Sequence, residues 1–187
     1  MRLLPALTVL LMVAPACNDA GSETGGAATS QSFTVDLRPL NGSEAEGRGE
    51  LSLDGNQLTV DIEATGLEPD RTHEQHLHGL AVAGQEATCP SDSEDSDGDR
   101  LVDLGEARSA FGPSIRALEP FPTVGGGGRL DYELGFTIKR ESLEPLENRV
   151  LVLRGLSSDR RGNSSRAYVP DLPVACGDIR AVGVPRL

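Results

Sequence analysis

Strict alternation of apolar and polar residues constrains this 187-residue chain more than any other feature of its sequence. Every second residue from 58 to 64 is apolar, and the same pattern runs from 130 to 138. Successive side chains of a β-strand point to opposite faces, so this period predicts strands with one face in a core and the other in solvent. The turn sequence Asp54-Gly55-Asn56, which precedes the first of these runs, predicts a β-hairpin with residues 51–53.

The remaining strands complete an all-β fold. Residues 33–37 alternate, residues 150–153 are continuously apolar as in a strand covered on both faces, and further strands are expected at 73–80 and 174–182. We predict seven or eight strands in an antiparallel β-sandwich, or flattened barrel, with Greek-key connections. Residues 33–187 suit a single domain.

One stretch breaks this pattern. From Gly84 to Pro122 the chain is acidic and contains proline, and we predict one long loop insertion with a short helix at 104–110. Loops of this length in compact domains tend to be functional or cross-linked.

The N-terminal segment predicts export. Arg2 precedes an apolar run from Leu3 to Ala14, which is shorter than the roughly 20 residues that a membrane-spanning helix needs. Residues 1–16 therefore predict a signal peptide, and the Gly/Ser/Thr-rich residues that follow Cys17, up to 32, predict a flexible tether.

The sequence Ala-Pro-Ala-Cys17 resembles the lipobox of bacterial lipoproteins. This resemblance implies a lipid on Cys17 that anchors the protein to a bacterial cell membrane or outer membrane, facing the periplasm or the exterior. Cleavage nearby without lipidation is the alternative. The formal net charge of −12 argues against nucleic acid as a partner, because an acidic surface repels phosphates.

All three histidines of the chain lie close together, at His73, His76 and His78. Residues two apart on a strand face the same way, so His76 and His78 could share one copper or zinc ion while His73 points elsewhere. Two imidazoles are fewer than the three or four protein ligands that these metals normally take. The alternative is that the rings make hydrogen bonds that hold nearby loops.

The acidic insertion contains the ligand spacing of a calcium loop. Acidic residues occupy loop positions 1, 3, 5, 9 and 12, which are Asp95, Asp97, Asp99, Asp103 and Glu106. Calcium takes six to eight oxygen ligands, and this spacing wraps carboxylates around one point. Position 6, which is glycine in such loops, is Arg100 here, and a solvated acidic loop without an ion is the alternative.

Three cysteines remain to be assigned. If Cys17 carries lipid, Cys89 and Cys176 are left, and they are expected to pair in an oxidising compartment. A bridge that closes a loop of about 87 residues stabilises by roughly 4 to 5 kcal/mol in the chain-entropy estimate. Two free thiols are the alternative.

The pattern His73-x-x-His76-x-His78-Gly79, with the loop cysteine and Ala175-Cys176-Gly177, resembles the Cu/Zn superoxide dismutase family. The resemblance implies a β-sandwich, copper ligands on the histidine strand and the disulfide between Cys89 and Cys176. A further copper histidine of the family is replaced by Arg154, and its zinc histidines and active-site arginine have no counterpart. Dismutase activity is therefore not expected.

A closer resemblance is to the CHRD domain, known from chordin and from bacterial exported proteins. It rests on Leu40-Asn41-Gly42-Ser43, Gly66-Leu67 and His76-Leu77-His78-Gly79, and it covers about residues 33 to 182. It implies the same sandwich fold, but it implies no settled activity.

These observations together predict a non-enzymatic, membrane-tethered exported lipoprotein that binds calcium and serves a binding or structural role, with an unidentified protein or surface partner. The alternative is a copper- or zinc-binding protein that uses His76 and His78. A hydrolase is disfavoured because the sequence has no G-x-S-x-G elbow, and the loop Gly125–Gly128 is followed by neither a lysine nor a helix start.

Overall fold

The computed structural model describes residues 30–82, 84–158 and 167–183 of the chain. In this part the strands are β1 (Gln31–Pro39), β2 (Glu46–Asp54), β3 (Gln57–Thr65), β4 (Glu74–His78), β5 (Ser114–Ala117), β6 (Leu130–Thr137), β7 (Val150–Ser158) and β8 (Ala167–Ala181). Two short helices are α1 (Arg108–Phe111) and α2 (Arg140–Leu143). All strand pairs are antiparallel, so the prediction of an antiparallel all-β fold is confirmed.

The strands form a single curled sheet in the order β5-β4-β7-β8-β1-β2-β3-β6. Strand β8 is 15 residues long and joins two halves of this sheet, β5-β4-β7 and β1-β2-β3-β6. Its earlier part pairs with β7 and its later part with β1. Side chains from both halves meet in one apolar core, as in a sandwich. The Greek-key arrangement of the connections stays a prediction.

The predicted hairpin joins β2 and β3. Asp54 pairs with Gln57 across a two-residue turn, and Gly55 in this turn has a φ of 55°. This left-handed conformation suits the twist of the two strands and favours glycine.

Alternation along β3 follows the burial pattern that the sequence predicts. Leu58, Val60 and Ile62 are fully buried, while the residues between them are exposed. Burial of each such side chain contributes about 1.5 to 3 kcal/mol relative to exposure. This face of the strand therefore supports the core directly.

The continuously apolar strand β7 is covered on both faces, as predicted. Leu151 and Leu153 lie in the main core, whereas Val150 and Val152 face the insertion. There they pack in a second apolar group, which we call the insertion cluster: Ala87, Val102, Ala107, Phe111, Val150, Val152 and Cys176.

The insertion differs from its prediction at its C-terminal end. Strand β5 lies inside the stretch from Gly84 to Pro122 and pairs with β4. Ser114 is exposed and the other three residues are only partly buried, so the strand carries no alternation that could be recognised in the sequence. The helix predicted at 104–110 is the shorter α1, which begins at Arg108.

Cys89 and Cys176 form the predicted disulfide, with an Sγ–Sγ distance of 2.01 Å. Because Cys176 lies in β8, the bond fastens the insertion to the strand that both halves of the sheet share. The predicted signal peptide, Cys17 and most of the tether lie outside the described residues. No helix in the described ranges is long and apolar enough to cross a membrane.

Candidate functional site

The acidic loop brings three of its five predicted calcium ligands together. One carboxylate oxygen from each of Asp95, Asp97 and Asp99 lies within 4.8 Å of the other two. Among the described residues this is the one such group of three His, Cys, Asp or Glu side chains. Like charges this close repel by about 1 kcal/mol per pair even in water, so their position favours a bound cation.

Backbone N–H groups orient these carboxylates. Asp95 accepts hydrogen bonds from the amides of Gly98 (2.6 Å) and Arg100 (2.9 Å), and Asp97 accepts one from the amide of Asp99 (2.9 Å). Arg100 has a φ of 71°, so the chain makes the left-handed turn at position 6 for which calcium loops use glycine. The arginine therefore does not prevent the turn.

Glu106 closes the loop from its far end. Its Oε1 accepts hydrogen bonds from the amides of Ser96 (2.8 Å) and Asp97 (3.2 Å), and its Oε2 accepts one from the amide of Asp103 (3.1 Å). The hydrogen bond from Asp103 is the largest of the contributions that lower the pKa of Glu106. The carboxylates of Asp103 and Glu106 are not members of the three-carboxylate group.

His76 and His78 lie side by side on β4, with ring centroids 6.2 Å apart. Both ring nitrogens of His76 have side-chain partners, since Nδ1 is 2.9 Å from Ser114 Oγ and Nε2 is 3.0 Å from the Glu74 carboxylate. The ring of His73 lies instead against two backbone carbonyls.

The ring of His78 is held between the insertion and β7. Its Nδ1 lies 3.0 Å from the carbonyl oxygen of Gly112, and its Nε2 lies 2.7 Å from Nη2 of Arg154. A guanidinium can only donate, so Nε2 accepts from Arg154 and Nδ1 carries the proton that is donated to Gly112. His78 is therefore a neutral imidazole that joins the end of the insertion to the sheet.

Burial lowers the pKa of both rings. It lowers the pKa of His78 to about 4, and the nearby positive charge of Arg154 acts in the same direction. The pKa of His76 is also lowered, first by burial and then by Arg154. His78 is thus in the neutral form that a metal ion would need, and the shift of His76 has the same direction.

The buried guanidinium of Arg154 contacts Nε2 of His78, the nitrogen that is free of a proton. Its Nη1 lies 3.5 Å from the same Glu74 carboxylate that meets His76. A copper or zinc ion bound by both rings would have to displace it. The transition-metal site stays a prediction.

Comparison with known proteins identified no relative of this chain. No model of a known protein family matches the chain, and no curated protein matches it. The resemblances to the CHRD domain and to Cu/Zn superoxide dismutase stay predictions.

Proposed function

We propose that this chain is an exported, lipid-anchored β-domain that binds calcium through residues 95–106 and acts by binding and not by catalysis. The observation that carries the proposal is the convergence of Asp95, Asp97 and Asp99 within 4.8 Å. Carboxylate oxygens are the ligands that calcium prefers, and a divalent cation removes their mutual repulsion.

Attachment of the loop to the sheet supports the same function. Val102, between the ligand positions 7 and 9, is buried in the insertion cluster, and Cys89 ties the start of the insertion to β8. A loop that is already fastened loses less conformational entropy on binding an ion, so more of the interaction energy appears as affinity. The ordered acidic insertion then offers a surface to a partner protein.

Calcium titration of the soluble domain tests the proposal. We expect the melting temperature to rise with calcium, because an ion that binds only the folded state adds about 2.7 kcal/mol of stability at a concentration of 100 Kd. Isothermal titration should give one site. Absence of any thermal shift at millimolar calcium would refute calcium binding.

Two single substitutions make this test specific. Asp97→Asn removes the charge of a central ligand and should weaken calcium binding at least tenfold, which corresponds to about 1.4 kcal/mol. Asp92→Asn removes an equally exposed charge just outside the loop and should leave the affinity unchanged. Equal losses of calcium affinity in the two variants would mean that the affinity depends only on the net charge of the insertion.

The anchor has its own test. The disulfide between Cys89 and Cys176 supports an oxidising location outside the cytosol. We expect the full chain to fractionate with membranes and Cys17→Ser to be released into the soluble fraction. A membrane fraction that is unchanged in Cys17→Ser would contradict lipidation at this residue.

A further inference from the structure

A cleft lies between the two outer strands of the curled sheet, β5 and β6, on the side where α2 follows. Its volume is about 430 Å³. The lining combines apolar and cationic side chains, chiefly Ile115, Arg116, Ile138, Lys139, Ser142 and Leu143. Small-molecule sites have this size and this composition, with apolar walls and a few polar groups.

Arg116 faces inward from an outer strand. It pairs with Leu77 across β4 and β5, and directly opposed residues of neighbouring strands project to the same face. Leu77 is fully buried in the core. The Arg116 guanidinium reaches β6, where its carbon lies 4.7 Å from the centroid of the Phe136 ring.

The inward charge lacks a counter-ion within the described part of the chain. Arg116 forms no ion pair there, although the chain has 29 acidic and 17 basic residues, and its buried Nε has no hydrogen-bond partner. Arg154 and Arg140 each have a carboxylate nearby, from Glu74 and Glu144. The partly buried Arg149 donates to the carbonyls of Leu143 and Glu144 instead. A partly buried guanidinium without an anion costs free energy, which a bound anion would recover.

We propose that this cleft binds a small organic anion, a carboxylate or sulfonate with an apolar body. The planar guanidinium of Arg116 presents paired donors that match a carboxylate, and Lys139, the single lysine of the sequence, adds a second positive charge. Ile115 and Ile138 contact the apolar body. The site is separate from the calcium loop, so it stands or falls independently of the proposed function.

Calorimetric titration with octanoate tests this site on the intact domain. We expect saturable binding of one octanoate, and octanamide, which has the same chain without the charge, should bind at least tenfold more weakly. Arg116→Gln should raise the Kd for octanoate about tenfold, a loss of about 1.4 kcal/mol. Arg129→Gln, which removes an exposed arginine paired with Asp131, should leave the Kd unchanged.

Three results would overturn the proposal: no saturable binding of octanoate, equal affinity for octanamide, or an unchanged Kd in Arg116→Gln. The last would mean that Arg116 only protects the strand edge against pairing with another chain, which is a known use of inward charges. If circular dichroism shows that Arg116→Gln is unfolded, Lys139→Gln provides the same comparison from an exposed position. We expect Lys139→Gln to raise the Kd for octanoate about threefold. An unchanged Kd in Lys139→Gln would also overturn the proposal.

Discussion

Replacing Asn41 by glycine is expected to free the acidic loop from the sheet while the turn that carries this residue stays intact. The turn is closed by a hydrogen bond from the Ser43 amide to the Leu40 carbonyl (3.0 Å). Asn41 and Gly42 have φ angles of 56° and 65°, which glycine adopts without strain. The substitution therefore removes the side chain without opposing the backbone.

The side chain of Asn41 makes three hydrogen bonds across the fold. Its Oδ1 accepts from the Val102 amide (2.6 Å), and its Nδ2 donates to the carbonyls of Val102 (3.1 Å) and Pro173 (2.8 Å). It thus gives Val102 both of the hydrogen bonds that a neighbouring strand would give. At about 0.5 to 1.5 kcal/mol net for each bond, the loss should be roughly 2 to 4 kcal/mol.

Urea unfolding and amide hydrogen exchange measure the two consequences. We expect the lower stability together with faster exchange of the Val102 amide. Ser43→Ala is the matched control, because the Ser43 hydroxyl donates to the Val174 carbonyl (2.6 Å) and accepts from the Ala45 amide (3.2 Å), and neither hydrogen bond involves the loop. It should cost about 1 to 3 kcal/mol and leave Val102 protected. A cost below about 1 kcal/mol for Asn41→Gly, with unchanged exchange at Val102, would mean that apolar contacts alone hold the loop.

Two further predictions concern pH and the disulfide. His78 has an ordinary pKa of 6.5 and a folded-state pKa of about 4, so the unfolded chain takes up the proton first as the pH falls. The contribution of His78 to the free energy of unfolding should therefore be fully present above pH 6.5 and fall by about 3 kcal/mol toward pH 4. Urea unfolding at a series of pH values measures this fall, and His78→Gln should make it smaller. Replacing Cys89 and Cys176 by alanine opens a loop with a sequence separation of 87 and should cost about 4 kcal/mol in the same assay; a cost below 1 kcal/mol would contradict the chain-entropy argument.

The strands could be predicted because their signal is local. Alternation of side chains within β3 and the two-residue turn before it are properties of neighbouring residues, and both appear in the structure as predicted. Strand β5 carries no such signal, since none of its four residues is fully buried and the strand is defined by its pairing with β4.

In the candidate sites, too, contacts between residues close in sequence could be predicted, and contacts between distant residues could not. Asp95, Asp97 and Asp99 lie two residues apart, so a single tight loop brings them together. The contact between Arg154 and His78 joins residues 76 positions apart and depends on the register of β4 against β7. Asn41 and Val102 are 61 positions apart. No local pattern encodes such contacts, which is why the sequence did not reveal the roles of Arg154 and Asn41.

The place of β1 in the sheet determines how the domain responds to mechanical load. β1 lies between β2 and β8, and its first residues pair with the last residues of β8, as Phe33 does with Ala181. A pull applied between the two ends of the domain would open the pairs of β1 and β8 one after another. A pull applied between the start of β1 and the insertion would run along the strands instead, because the disulfide passes the force to Cys176 in β8. All the hydrogen bonds between these strands would then share the force, so the domain would resist load best between the start of β1 and the insertion.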